Sequence, residues 1–303
     1  MPAAFPFLGE TLALLCALFW AFAVILFKKS GETAHPLGLN LFKNLLALVL
    51  FIPTLLFFHE PLLPRMPLSD FARFFLSGIL GMAIGDTLFF MSLNRIGAGL
   101  SAIVGYMYSP LIIALSLFFL KESLTLLQIS GIALILAALL LTSQIKVPEK
   151  IKRKTLFIGI ILGVLSSAAT AASIVLIKPL LAKTSLLWAT AFRLFAGLIG
   201  VIFFILFIPE RRRILGSTFT TKGLGYTIGA TILGTYIALT VWLGGMKFTQ
   251  ASVAAPLNQL SNIFIFILSA LLLKEPINSR RIMAIIIAFT GALLVFIGFQ
   301  TLF

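Results

Sequence analysis

The sequence predicts an all-α membrane protein: ten transmembrane helices built as two inverted five-helix repeats around a central cavity. Three observations predict it. The chain has 303 residues, of which 60% are hydrophobic and 11% charged, with a mean hydropathy of +1.15. A soluble domain carries about 25% charged residues, so most of this chain cannot face water. Its apolar runs are long enough to span a bilayer, since about 20 residues at 1.5 Å rise cross a core of about 30 Å. Finally, the halves repeat. Leu120-Lys121-Glu122 ends an apolar run in the first half, as Leu273-Lys274-Glu275 does in the second. At that spacing Gly81 meets Gly234, Thr87 meets Thr240 and Ala102 meets Ala255. Nearer the N-terminus the spacing shortens slightly, and Gly9 meets Gly159, Lys28 meets Lys178, Phe42 meets Phe192 and Lys43 meets Arg193.

In chain order the expected spans are 7–27, 36–58, 71–93, 97–120, 125–143, 156–177, 186–208, 223–244, 250–273 and 279–300. The first is longer than a signal-peptide core and has no basic residue before it, so it reads as a retained span. Residues 1–145 form the first repeat, 146–155 a basic linker and 156–303 the second repeat. Five is odd, so a second copy enters the membrane from the opposite side and the repeats are inverted. The longest connections, 143–155 and 209–222, are also the most basic, and no segment is long enough for a separate soluble domain.

The net charge of +14 sits almost entirely between apolar runs. There it marks bilayer boundaries and anionic headgroups rather than a nucleic-acid face. Lys and Arg concentrate in the loops after odd-numbered spans, which by the positive-inside rule points to both termini outside. Cys16 is the single cysteine, and His35 and His59 fall in short loops, so no disulfide or metal site is expected. There is no phosphate-binding glycine loop with Lys and no His-Glu-x-x-His. No cofactor is expected, and an integral-membrane enzyme would need an acid–base cluster that the scattered carboxylates do not form.

Candidate functional residues are polar groups at membrane depth. Asp86 lies near the middle of the third span, where a carboxylate costs several kcal/mol unless paired, hydrated or neutralised. Lys43, in the second span, lies at similar depth and can pair with it. The partner of Asp86 in the second repeat is Leu239, so the carboxylate breaks the symmetry. Lys43 and Arg193 occur in both halves. Their long stems suit snorkelling to headgroups, with recognition of an anionic group as the alternative. Ala102, Tyr106 and Ser109 fall at helical spacing, and their partners are Ala255, Gln259 and Asn262, with Asn258 adjacent. Such groups must find hydrogen-bond partners, either on neighbouring helices or in a wet cavity. Pro110 and Pro256 each remove a helical hydrogen bond. Trp20 and Tyr236 are candidate cavity walls, and Trp188, near a span end, reads as an interface anchor. The pairs Gly81/Gly85, Gly159/Gly163 and Gly225/Gly229 suit close helix packing. Lys121-Glu122 and Lys274-Glu275 read as helix ends with local ion pairs.

Phe19-Trp20 and Lys28 in the first span, Lys43 in the second, Gly85-Asp86-Thr87, Ser109-Pro110, Leu120-Lys121-Glu122 and Gln128 to Gly131 together resemble the EamA-type branch of the drug/metabolite transporter superfamily. The likeness covers nearly the whole chain. It implies ten helices in two inverted repeats, a central cavity, a small-metabolite substrate and both termini in the cytoplasm. It thus points to a secondary transporter in the cell membrane. The substrate would be an amino acid, a related metabolite or a drug-like compound. The partners would be the lipid bilayer and possible coupling protons on Asp86. A lipid-moving or accessory membrane protein of the same superfamily is the alternative.

Overall fold

The computed structural model describes residues 7–31, 34–142, 152–209, 211–220, 223–264 and 279–300. Among them all regular structure is helical. The helices are α1 (Leu8–Gly31), α2 (Pro36–Phe57), α3 (Leu68–Gly78), α4 (Asp86–Gly105), α5 (Tyr108–Leu115), α6 (Leu126–Thr142), α7 (Arg153–Leu181), α8 (Leu186–Leu206), α9 (Arg211–Thr220), α10 (Leu224–Ala230), α11 (Leu239–Phe248), α12 (Ala251–Asn258) and α13 (Ser279–Gln300). Six runs among the described residues are long and apolar enough to cross a membrane: Leu8–Phe27, Pro36–Phe57, Leu68–Ile96, Arg153–Leu181, Leu186–Leu206 and Leu224–Phe248. Shorter apolar helices occupy Tyr108–Leu120, Leu126–Ala138 and Ile286–Val295. Of the basic linker, residues 146–151 lie outside the described residues, as do Lys274 and Glu275, while its last residues begin α7 at Arg153.

Backbone irregularities recur at equivalent positions of the two repeats. A π-helical segment, Ile79–Gly85, joins α3 to α4, and another, Thr231–Ala238, joins α10 to α11. Helix geometry lapses at Tyr106–Met107 and again at Gln259–Leu260. These are the partners that the sequence spacing assigns to each other. A third π segment, Ser116–Leu120, ends at Lys121, whose φ of 53° is left-handed and stops the helix.

The expected gap between the third and fourth spans takes an unexpected form. Residues 86–105 have a continuous helical pattern, yet Ser92 Oγ lies 3.5 Å from Ser101 Oγ. Nine residues of straight helix would separate them by about 13.5 Å. The chain therefore turns back between them without losing helical hydrogen bonding. Both arms then pack on α7, where Gly163 is met by Ser92 and by Val104.

Contacts between helices fix their directions. Gly131 of α6 lies against Gly291 and Val295 of α13, while Thr125 and Gln128 lie against Gly298. One index rises as the other falls, so α6 and α13, equivalent helices of the two repeats, run antiparallel. Likewise α1 runs antiparallel to the α10–α11 run, with Gly9 against Thr249, Ala13 against Gly245 and Ala23 against Gly234. In the same way α7 runs antiparallel to the α3–α4 run, with Gly159 against Ile96, Ser166 near Gly85 and Ser173 against Gly81. Each half thus lends its first helix to the other half's third.

Small residues make these approaches possible, because without a hydrophobic drive between helices in lipid, association rests on close packing. A Cβ added at Gly81, Gly85, Gly159 or Gly163 would fall within 3 Å of an atom of a neighbouring helix. Gly225 and Gly229 do not: a Cβ added at Gly225 would meet nothing within 4 Å, and one at Gly229 only Leu26 at 3.4 Å, so that pair is not a packing motif. The outer faces carry exposed Phe57, Phe118, Phe157, Phe203, Phe207 and Leu293, as a lipid-facing surface requires.

Three further expectations change. The basic connection after α8 contains a helix, α9, anchored through buried Ile214 against Leu37, Leu41, Val201 and Ile205. Trp188 is not an exposed anchor: it is 2% exposed, stacks on Phe192 at 4.8 Å and donates from Nε1 to Leu62 O at 2.9 Å. Its indole finds a partner inside the protein instead of at the headgroups. Glu122 does not pair locally. Its carboxylate reaches the other half and accepts from Ala251 N (2.8 Å), Ser252 N (3.0 Å) and Ser252 Oγ (2.6 Å) at the start of α12. The orphan amides of a helix N-terminus favour such a negative cap.

Two outcomes follow for stability, each measurable by thermal unfolding in detergent. Gly131→Ala places a Cβ 2.5 Å from Gly291 O and should destabilise by about 1–3 kcal/mol, whereas Gly225→Ala should not. Glu122→Ala removes a charged cap and should cost about 1–2 kcal/mol.

Candidate functional site

On α2 the residues Asn40, Lys43 and Asn44 follow an i, i+3, i+4 spacing and share one face. His35 starts that helix by accepting from Leu37 N at 3.3 Å, with Pro36 in the first turn. The polar face meets the π segment of the α3–α4 run. A π turn displaces backbone carbonyls from the regular ladder, and here Asn40 Nδ2 donates to Met82 O (2.9 Å), Ala83 O (3.3 Å) and Thr87 Oγ1 (2.9 Å). Asn44 Nδ2 donates in turn to Asn40 Oδ1 at 3.1 Å.

This network presents Lys43 to Asp86. Lys43 Nζ donates to Asp86 Oδ2 at 2.6 Å and to Asn44 Oδ1 at 2.9 Å. Lys43 is 4% exposed, so it does not snorkel; its ammonium is neutralised in the interior by a carboxylate one helix away. The Asp86 side chain keeps 23% of its surface open. The pair therefore has a closed cation and a partly accessible anion.

Arg193, the partner of Lys43 in the second repeat, also stays inside, at 0% exposure. Its surroundings differ. Nη2 donates to Ser173 Oγ at 3.2 Å and rests against Gly81, while Nε and Nη1 have no partner among the described residues. Leu239 stands where a carboxylate would complete the symmetry.

The amides expected from the repeat pattern are engaged between or within helices. Gln259 Nε2 donates to Gly105 O at 2.7 Å, so the lapse in one repeat touches the lapse in the other. Asn262 Nδ2 donates to Gln259 Oε1 (3.1 Å) and Gln259 O (3.3 Å), and Asn258 Nδ2 to Ala13 O (3.4 Å). Tyr106 is buried in the main apolar core. Ser109 is fully buried, and its hydroxyl has no partner among the described residues. Trp20 lies beside Phe27 and Phe89 and against Gly234. Tyr236 stacks edge-on to Phe51 and shares a 2.5 Å hydrogen bond with Thr54.

The structure thus joins Lys43 and Asp86 directly and keeps Arg193 nearby. Trp20 and Tyr236 stand at separate helix contacts. A cavity of about 350 Å³ lies at one end of the bundle, between the α2–α3 connection and the α7–α8 turn, lined by Glu60, Arg65, Asp70, Lys183 and Trp188 among others. None of the residues singled out from the sequence as candidate cavity groups lines it. Asn40, Asn44 and Thr87 were missed; the spacing of two Asn around Lys43 on one face of an apolar helix carried the signal.

No curated protein matches the chain. A solved structure described as "Crystal structure of protein" aligns with a TM-score of 0.75 at 16% identity, over 94% of this chain and 95% of that one. At that identity the likeness establishes the fold. The model of the EamA-like transporter family matches twice, over residues 7–144 and again over 157–297. With two matched repeats covering nearly all of its length, the chain is a multi-pass membrane protein that belongs to the EamA-like transporter family.

Proposed function

We propose that this protein is a secondary transporter that moves a small organic metabolite across the cell membrane by alternating access, with Asp86 as its proton-linked carboxylate. The observation that carries the reading is the Lys43–Asp86 pair, buried on the cation side and open on the anion side, beside an interrupted helix. Transporters place such groups where discontinuous helices of inverted repeats meet. Ten spans in two five-helix units divided near 146–155 fit the antiparallel course of α6 and α13 and the two family matches.

In this reading the two repeats exchange conformations, opening the path first to one side and then to the other. Protonation of Asp86 releases Lys43, and that release changes the relative energy of the two states. Tyr106, Ser109, Asn258, Gln259 and Asn262 supply polar groups at the centre, with Trp20 and Tyr236 as aromatic walls. Amino acids, related metabolites and drug-like amphiphiles suit such a lining. The chemistry is transport rather than catalysis, as the family implies.

Asp86→Asn tests the coupling. The amide oxygen still accepts from Lys43, which keeps Asn44 as a second acceptor, so the fold should persist. Proteoliposome flux driven by a pH gradient should fall by about tenfold or more, the loss equivalent to about 1.4 kcal/mol in the limiting step. Equal flux in variant and parent, with and without the gradient, would remove Asp86 from the mechanism.

A further inference from the structure

The cavity at one end of the bundle has no part in the transport mechanism, and its position and charges give it a different use. It lies across the ends of four spans: Pro36–Phe57 and Arg153–Leu181 finish beside it, and Leu68–Ile96 and Leu186–Leu206 begin there. That is the boundary of the apolar core, the level of lipid headgroups. The flanking side chains agree with that level. Leu63 and Leu68 are 79% and 84% exposed, and Phe58 and Leu62 are exposed beside them, an apolar rim suited to acyl chains.

The walls are pre-formed. Pro61, Pro64 and Pro67 line the cavity with fixed φ. Trp188 makes its floor, with the rings of Phe71, Phe74 and Phe192 at 5.6, 5.4 and 4.8 Å, and donates from Nε1 to Leu62 O at 2.9 Å. Ser185 Oγ donates to Glu60 Oε1 at 2.6 Å. These two bonds join the α2–α3 connection of the first repeat to the start of α8 in the second. A volume of about 350 Å³ is at the lower end of the range of small-molecule sites.

The charges around the cavity balance in number but are not paired. Glu60 and Asp70 supply two carboxylates, Arg65 and Lys183 two cations. None of the four forms an ion pair among the described residues, and the side chains of Arg65, Asp70 and Lys183 have no hydrogen bond there. A simple anion would meet the two carboxylates, and a simple cation the two basic groups. A zwitterion satisfies both. Arginine and lysine donate to phosphate, and carboxylates accept from a primary ammonium. A quaternary ammonium has no N–H and is held by open aromatic faces instead. The ring in reach, Trp188, is 2% exposed with Phe192 stacked on it.

We propose that this cavity binds a phosphoethanolamine group, presented by an aminophospholipid whose acyl chains run along Leu62, Leu63 and Leu68. Arg65 and Lys183 take the phosphate, while Asp70 and Oε2 of Glu60 take the ammonium. The site is separate from the Lys43–Asp86 pair and stands whether or not the transporter reading does. A headgroup seated there bridges the two repeats, so its binding stabilises the bundle.

The test reads the melting temperature of the full-length protein in detergent micelles doped with equal mole fractions of dioleoyl phosphatidylethanolamine, phosphatidylcholine or phosphatidylglycerol. Phosphatidylethanolamine should raise it by about 2 °C or more over the other two. Arg65→Gln with Lys183→Gln should abolish that preference. Glu60→Gln with Asp70→Asn, which leaves the cations unopposed, should turn it into a preference for phosphatidylglycerol. Lys152→Gln with Arg153→Gln, at the opposite end of α7, should leave it unchanged. Each preference is a difference between lipids within one variant, so a change in lipid-free stability does not disturb it. Soluble O-phosphoethanolamine separates the two sources of the group. A smaller rise than with the lipid supports the lipid, and an equal rise overturns it in favour of a free zwitterion. Equal melting in all three lipids, or a phosphatidylethanolamine preference kept in both cavity variants, overturns the site itself.

Discussion

Charge neutralisation among buried side chains is the constraint around which this bundle is arranged. Lys43 and Arg193 occupy equivalent places in two copies of one unit, and both are buried. Among the described residues the ion pair is that of Asp86 with Lys43. Holding that pair takes more than two residues. Asn44 accepts from the ammonium, Asn40 braces Asn44, and the π segment at 79–85 turns two carbonyls and Thr87 towards Asn40. The backbone distortion and the charge pair are therefore one device: a regular helix would keep those carbonyls in its own ladder.

The same logic explains why irregular backbone survives at this depth. Unsatisfied peptide groups are costly in lipid, and they persist where protein or water supplies partners. Gly105 O, exposed by the lapse at Tyr106–Met107, takes the amide of Gln259, which belongs to the matching lapse in the other repeat. One break thus supplies a partner to its counterpart. At the ends of the helices Glu122 cross-links the halves by capping α12, while within the second half Lys178 donates to Met246 O and Thr249 O at the close of α11.

Much of the architecture was legible in the residues. The Leu-Lys-Glu repeat and the glycine correspondences pointed to duplication, and the helix directions agree with the inversion that an odd unit demands. Residues 7–27 and 36–58 were readable because apolar length alone marks a span. The reversal between Ser92 and Ser101 was legible too, since the expected spans break at 94–96, where Asn94 and Arg95, followed by Gly97, interrupt the apolar run; what the residues did not show is that the helical pattern carries on through it. Trp188 and Arg193 were misjudged for a shared reason. Amphipathic side chains near span ends are ordinarily drawn to headgroups, but these two find Leu62 O and Ser173 inside the bundle. Sequence spacing reports depth along a helix; which neighbour fills the adjacent face is decided by tertiary packing. Asn40 and Asn44 show the converse, since their spacing around Lys43 was visible but their purpose depended on the π segment opposite.

A symmetric scaffold with an asymmetric charge has a mechanistic consequence. If both repeats carried the same ionisable groups, exchanging their conformations would yield two states of equal electrostatic energy, and a proton would bind both equally well. A ligand with equal affinity for two states shifts nothing between them. Leu239 at the position equivalent to Asp86 removes that degeneracy, because Asp86 pairs with Lys43 in one repeat and no ion pair of Arg193 is found among the described residues in the other. The cations, present twice, provide the symmetric framework. The carboxylate, present once, makes the two arrangements electrostatically distinct, so in the proposed transporter the protonation of Asp86 shifts the balance between them, while the gradient itself sets the direction of net flux.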